Sequence, residues 1–249
     1  MAPVNVAVLG ATGRMGSETC RAIEAADDLT LVARIGRDGG VVDATAAGAS
    51  VVVDFTQPDA VMANVEAAVS QGLHVVVGTS GVDAGRLSTI SGWLDAHPKV
   101  GVVVAPNFAL GAVLLMRFAR EAAPHFESVE IVELHHPDKV DAPSGTAVHT
   151  AELVANARSA AGRSAGPDAT THAAPGARGA DVQGVRVHSV RLRGLVAHEE
   201  VLFGNAGEVL TLRHDSLDRG AFMPGVLLAV RKVASRSGLT VGLEPLLDA

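Results

Sequence analysis

The sequence predicts an α/β protein in which a doubly wound parallel sheet is joined to a second domain whose strands keep one face open. Three observations carry this. Short Val-rich runs alternate with amphipathic helical stretches as far as Pro106, a glycine-rich loop follows the first run, and beyond Glu127 the strand-like segments mix charged and apolar residues in partial alternation. Strands covered on both faces read as unbroken apolar runs, whereas a sheet with one wet face alternates.

Asn5–Leu9 (NVAVL) is the first strand, ended by Gly10, and Ser17–Ala26 carries the Ala, Ile and Cys spacing of a buried helix. Strands follow at Leu29–Ala33, Val51–Phe55, Leu73–Gly78 and Val100–Ala105, with helices at Pro58–Gln71 and Val82–Ala96. Each parallel crossover lays a helix over the sheet. The second set of strands is VEIVEL at 129–134, VRVHSV at 185–190, HEEVLFG at 198–204 and EVLTLRHD at 208–215. One face of that sheet is therefore wet or meets a partner. Ala155–Ala180, rich in Ala, Gly, Ser, Arg and Pro, reads as a helix tail running into a mobile loop. It is either a lid over a site or an ordinary surface loop. Asp215–Lys232 has helical spacing with Pro224 near its start or at a kink, and Leu239–Leu243 forms one more strand. This last stretch returns to the first domain, so the expected division is 1–106 with 218–249, and 107–217.

With 249 residues, 48% of them hydrophobic, the chain can build two modest cores. Twenty Lys and Arg against 27 Asp and Glu give a formal charge of -7, with no basic run and 3% aromatic residues, so no nucleic-acid partner is expected. Cys20 is the single cysteine, which excludes a disulfide framework. The opening apolar run breaks at Gly10 after a strand's length, and no window reaches the roughly eighteen apolar residues of a membrane span. A soluble, cytoplasmic protein with no membrane partner is expected.

Gly10-Ala11-Thr12-Gly13-Arg14-Met15-Gly16 lies between a strand and a helix, where backbone N–H groups and the positive helix end can hold a pyrophosphate. Its G-x-x-G-x-x-G spacing departs from the G-x-G-x-x-G fingerprint, and a turn needed only for close helix packing is the competing reading. A NAD site usually places a carboxylate at the end of the second strand. Here that strand runs into Arg34-Ile35-Gly36-Arg37, with Asp38 following. Arg34 or Arg37, with Arg14, can pair with the 2'-phosphate of NADPH.

The densest chemistry lies in Glu133-Leu134-His135-His136-Pro137-Asp138-Lys139-Val140-Asp141-Ala142-Pro143-Ser144-Gly145-Thr146-Ala147. Two histidines and a lysine supply proton donors, and Ser144-Gly145-Thr146 has the character of a helix N-terminus open to an anion. A small carboxylate substrate suits both. A metal held by His135, His136 and Asp138 is disfavoured, because neighbouring histidines on a strand point to opposite faces. A histidine hydrogen-bonded in the core for structure alone is the remaining alternative.

VAVLGATGRMG, VVDFTQPDAV, Gly78-Thr79-Ser80-Gly81, Ala105-Pro106-Asn107-Phe108 and above all ELHHPDKVDAPSGTA together resemble the 4-hydroxy-tetrahydrodipicolinate reductase (dihydrodipicolinate reductase) family, in its actinobacterial form. The resemblance covers essentially the whole chain. It implies a Rossmann-like domain completed by the C-terminal end, an inserted α+β substrate-binding domain with an open mixed sheet, and a homotetramer built through that sheet. It also implies that Gly10 to Met15 hold the cofactor pyrophosphate, while Gly78, Thr79, Ser80 and Ala105 to Phe108 line the nicotinamide side. His135 would be proton donor or acceptor and Lys139 a second donor, with His136, Gly145 and Thr146 on a small dicarboxylate substrate. No metal is implied.

Several relatives that use NADH well carry an acidic residue where this chain has Arg34 to Arg37, so NADPH is expected to serve at least as well as NADH, with both used. Two other functions compete: a dehydrogenase of another amino or imino dicarboxylate, which the HH-x-x-K-x-D-A-P-S-G-T-A element disfavours, and a nucleotide sensor without turnover, which the acid-base residues disfavour.

Overall fold

Valine dominates the strands of the first sheet, and the β-branched side chain suits a pleated surface packed on both sides. The computed structural model describes residues 2–247; Met1, Asp248 and Ala249, which the sequence reading placed at the ends of the first domain, lie outside the described residues. The elements in chain order are β1 (Val4–Leu9), α1 (Arg14–Glu24), β2 (Leu29–Ile35), α2 (Val41–Ala46), β3 (Val51–Asp54), α3 (Val61–Ser70), β4 (His74–Val77), α4 (Ala84–Asp95), β5 (Gly101–Val104), α5 (Leu110–Ala122), β6 (Ser128–His135), α6 (Gly145–Ala160), β7 (Ala180–Val182), β8 (Val185–Arg191), β9 (Ala197–Asn205), β10 (Glu208–Ser216), α7 (Met223–Val233), β11 (Gly238–Val241) and α8 (Glu244–Leu247). They fall into two units, one formed by residues up to Leu110 with those from Arg219 onward, the other by Gly111–Asp218.

The first unit carries six strands in the order β11-β5-β4-β3-β1-β2, every pairing parallel. The chain leaves β1 toward β2 and returns on the other side as β3, so the order reverses between β1 and β3, and the carboxyl ends of those strands are where such sheets bind ligands. One face of the sheet packs Ala7, Val52, Val75 and Val102 against Val65, Ala68 and Ile90 of the helices, with Trp93 of α4 laid against the same core. This is the doubly wound sheet that the Val-rich runs predict.

In the second unit the order is β10-β9-β6-β8-β7. Only β6 and β8 run parallel; the remaining pairs are antiparallel, which makes the sheet mixed. Ile131, Val187, Val201 and Phe203 pack against Leu115 and Ala119 of α5 and Ala147, Ala151 and Val154 of α6. The outer strand β10 stays largely exposed, with Val209 uncovered.

Several boundaries differ from the sequence reading. α1 starts at Arg14 and not at Ser17, because extended Gly13 is its N-cap. β10 continues through Ser216, so the helix expected from Asp215 begins only at Met223, with Pro224 in its first turn, where a missing N–H costs nothing. α2, α5 and the short edge strand β7 had no counterpart in the reading. Of Ala155–Ala180, the part to Ala160 is the end of α6, and Arg178 near its far end is paired with Asp168 and with Glu130 of β6.

The tightest point is the glycine loop after β1. A Cβ on Gly16 would lie 2.1 Å from the Gly10 carbonyl oxygen, and one on Gly10 2.4 Å from that of Phe55. Backbone cannot yield as a flexible side chain does, so Gly16→Ala is expected to destabilise the protein by roughly 1–3 kcal/mol, as overpacking does. A thermal melt checks this; an unchanged midpoint would show that the loop accommodates a methyl group.

Candidate active site

The loops at the carboxyl edge of the first sheet continue its hydrogen-bond ladder before they diverge. Phe55 N–H donates to Leu9 O (3.1 Å), Gly78 N–H to Asp54 O (2.9 Å) and Ala105 N–H to Val77 O (3.0 Å). Phe55, Gly78 and Ala105 are thereby fixed in one row. Ala11 N–H donates to Ile35 O (3.0 Å), which ties the glycine loop to the end of β2, and Thr12 lies beside Gly36. No side chain caps α1, so the N–H groups of its first turn, from Arg14 to Gly16, stay available to an anion. A side chain on Gly10 or Gly16 would collide with the Phe55 or Gly10 backbone and break the turn that presents these N–H groups, and a row of main-chain donors suits a pyrophosphate. Gly78 is wedged against the rings of Phe55 and Phe108, which pack at 5.7 Å. Asn107 Oδ1 accepts the Ala109 N–H (2.8 Å), and Ser80 and Pro106 are exposed at the rim. At the end of β2, Arg34 pairs with Glu24 of α1, while Arg37 and Arg14 are exposed.

In the second unit the chemistry converges on Glu133 of β6, which is fully buried. Its Oε1 accepts from Arg191 Nη2 (2.7 Å) and from the Ser144 N–H (3.2 Å), and its Oε2 from Arg191 Nη1 (2.9 Å). The His135 ring meets Oε2 through Nδ1 at 2.5 Å. Residues two apart on a strand share a face, which is why Glu133 can hold the ring of His135. A carboxylate can only accept, so Nδ1 carries the proton and Nε2 is left as the reactive nitrogen. Lys139 Nζ donates to Asp141 Oδ1 (2.6 Å), and Arg191 Nη2 also reaches the Asp141 carbonyl oxygen (2.7 Å). Ser144 caps α6 by accepting the Ala147 N–H (3.2 Å), which leaves Gly145 exposed and Thr146 half-buried in the first turn. His136 is exposed just past the end of β6. Among the described residues no three His, Cys, Asp or Glu side chains are grouped so as to hold a metal ion.

Burial lowers the pKa of His135, against the opposing pull of Glu133, so the ring is neutral at neutral pH. Burial pushes Glu133 the other way, but Arg191, Ser189 and His135 outweigh it and hold the carboxyl below its usual range. Directly across the ladder from Glu133 stands Glu199 of β9, 5% exposed, whose Oε1 has no hydrogen-bond partner. Burial, with Glu133 close by, pushes its carboxyl up to about 7. Thr150 touches Glu199, yet its one hydroxyl proton goes to the Thr146 carbonyl (3.0 Å). The contact with Thr150 lowers the Glu199 pKa, but by less than burial raises it.

The structure thus gathers the residues expected to bind cofactor along one edge of the first unit, apart from Arg34, which is turned to Glu24. His135, Lys139, Gly145 and Thr146 stand around Glu133 in the second. Sequence reasoning missed Glu133 as the organiser, although its i, i+2 spacing from His135 was a signal. Arg191 and Glu199 had none, since only strand register brings them there.

A glycine loop on the switch point of a doubly wound sheet, with a carboxylate-held histidine and a lysine in a second mixed-sheet unit, is the build of a nicotinamide-dependent oxidoreductase acting on a small molecule. The chain belongs to the dihydrodipicolinate reductase family: the family's N-terminal part matches residues 4–108 and its C-terminal part residues 111–247. Similar curated proteins are the 4-hydroxy-tetrahydrodipicolinate reductases of Nocardia farcinica, 60% identical over 98% of this chain and 99% of that protein, and of Mycobacterium marinum, 56% identical over the same shares. Dihydrodipicolinate reductase from Paenisporosarcina sp. TG-14, solved with dipicolinate bound, is 34% identical with a TM-score of 0.87, over 98% of this chain and 99% of that one. The myo-inositol 2-dehydrogenase of Lactobacillus plantarum, 12% identical with a TM-score of 0.59 over 96% of this chain and 91% of that one, shares the fold.

Two outcomes follow from the titrating groups. Glu133 raises the pKa of His135, so Glu133→Gln should move the limb of the pH–rate profile that requires protonated His135 toward acid by about one to three units. A profile superimposable on wild type would remove Glu133 from that role. Glu199 has a folded-state pKa above its unfolded value, so at this site the unfolded chain binds fewer protons between the two and the Glu199 contribution to stability falls as pH rises from about 4.5 through about 7, against the opposite slope of His74, His135 and His214. Glu199→Gln should remove that contribution, so that wild type minus variant stability declines by on the order of 3 kcal/mol in denaturant titrations across this range; a pH-independent difference would contradict it.

Proposed function

We propose that the chain reduces 4-hydroxy-tetrahydrodipicolinate to tetrahydrodipicolinate with NADPH or NADH, consuming a proton and releasing water, in the diaminopimelate route to lysine. The observation that carries this is the Glu133-held His135, with Lys139 and the N-terminus of α6 in the same unit. The nicotinamide cofactor supplies the hydride.

The chain's own residues do the rest. The Gly10–Met15 loop and the first turn of α1 hold the pyrophosphate with main-chain N–H groups, and Gly78, Thr79, Ser80 and Ala105 to Phe108 line the nicotinamide side. Arg37 and Arg14, both exposed, face a 2'-phosphate at no cost in broken pairs, whereas Arg34 must first leave Glu24. Gly145 and Thr146, with His136, meet a substrate carboxylate at a helix N-terminus, where negative charge is favoured and where the Gly145 backbone already pairs with the Asp141 carboxylate.

Hydride addition to a conjugated ring imine drives negative charge to the far end of the system, and a proton donor there lowers the barrier. His135 first takes a proton from solvent at Nε2, the resulting imidazolium being stabilised by Glu133, and then passes that proton to the substrate, while Lys139 supplies a second donor once released from Asp141. The open second sheet, with β10 at its edge, is the surface through which four copies assemble, and the enzyme works in the cytoplasm.

A coupled assay tests the reading: substrate generated in place from pyruvate and aspartate semialdehyde, with NADPH and NADH oxidation followed for wild type and His135→Ala. Rapid oxidation, at least as fast with NADPH, should fall by about 10²-fold or more in the variant while cofactor binding survives. Tight cofactor binding without oxidation by wild type would point to a sensor or to another dicarboxylate dehydrogenase, and strong NADH selectivity would remove the arginines from the phosphate site.

A further inference from the structure

We propose that Asp54 is a positioning residue that sets the nicotinamide-side turn of the cofactor site, an inference that rests on the dinucleotide reading above. Asp54 ends β3 and is 0% exposed. Its Oδ1 accepts from Thr56 N–H (2.9 Å), Thr56 Oγ1 (2.7 Å) and Thr79 Oγ1 (2.6 Å), and its Oδ2 from Asn64 Nδ2 (2.8 Å). These donors come from three segments: the loop after β3, the loop after β4 and the first turns of α3. The Asp54 main chain adds to the same junction, because its carbonyl oxygen accepts the Gly78 N–H (2.9 Å).

None of these donors is a cation. Burying a carboxylate among neutral partners is costly, and an apolar side chain would serve stability better. What a carboxylate provides is two oxygens that can only accept, so every hydroxyl and amide around it has to turn inward. Thr79, 8% exposed, directs its hydroxyl at Asp54, while on the other side of the turn a Cβ on Gly78 would overlap the Phe55 ring at 2.1 Å. The Gly78–Ser80 backbone is thereby clamped between a carboxylate and two aromatic rings. The glycine loop that would hold the pyrophosphate makes no hydrogen bond to the Asp54 side chain and meets the Asp54-held segment through the Phe55–Thr56 backbone beside Gly10, so the effect falls mainly on the nicotinamide half.

The test compares, by calorimetry on the full chain, binding of NADPH and of 2'-phospho-ADP-ribose, which lacks the nicotinamide. Asp54→Asn puts an amide against the Asn64 amide; it should weaken NADPH about tenfold or more, the scale of one charged hydrogen bond, and leave the fragment within about twofold. The double variant D54N/N64D exchanges acceptor and donor across the same contact and should restore most of the NADPH affinity. Thr79→Val removes one hydroxyl without adding bulk and reproduces the loss even if D54N does not fold. Equal losses for NADPH and fragment, or no loss in a folded variant, would overturn the proposal. A wild-type protein that binds neither ligand would sink the dinucleotide reading itself, and this inference with it.

Discussion

The Glu133 carboxylate has no access to water in the middle of the second sheet, and an ion so placed persists only if its neighbours neutralise it and fill its lone pairs. Arg191 supplies the charge, while the Ser144 N–H and the His135 ring complete the shell. Each partner is held by a different element. Arg191 fixes the register of β8 against β6, Ser144 fixes where α6 begins, and His135 is aimed by the same oxygen that meets the guanidinium. Removing either charged partner would strand the other in a poorly solvated site, which typically costs about 3–5 kcal/mol. The constraint that keeps the second unit folded is therefore the one that orients its reactive imidazole.

The first unit meets a similar demand by other means. Asp54 has no exposure either, yet threonine hydroxyls and an amide satisfy it without a cation. In the second unit, Glu199 faces Glu133 across adjacent strands and takes a third course by keeping its proton. The one negative charge of that pair stays beside Arg191 and His135. Three buried acids thus adopt three solutions, set by which donors the backbone brings within reach.

How much of this was legible in the sequence depends on the range of the interactions involved. The Val-rich strands of the first sheet could be read because burial on both faces is a property of each segment alone. The glycine loop was readable because a tight strand-to-helix turn needs residues without side chains at set spacings. The His135–Lys139 cluster stood out by composition. Arg191 and Glu199 could not be found, since their meeting with Glu133 is created by cross-strand register between segments far apart in the chain. α5 was missed because an apolar run following Phe108 does not by itself distinguish helix from strand, and α2 and β7 are too short to show a period.

Trp93 is the single tryptophan of a chain that has no tyrosine, and it lies on α4 against the core of the first unit. The second unit owns only Phe118, Phe126 and Phe203 among aromatic residues. Indole emission is consequently a private optical channel for one half of the molecule, while far-ultraviolet dichroism sums over both. Recorded together on one unfolding curve, the two signals resolve whether the halves lose their structure as a single cooperative event or in succession.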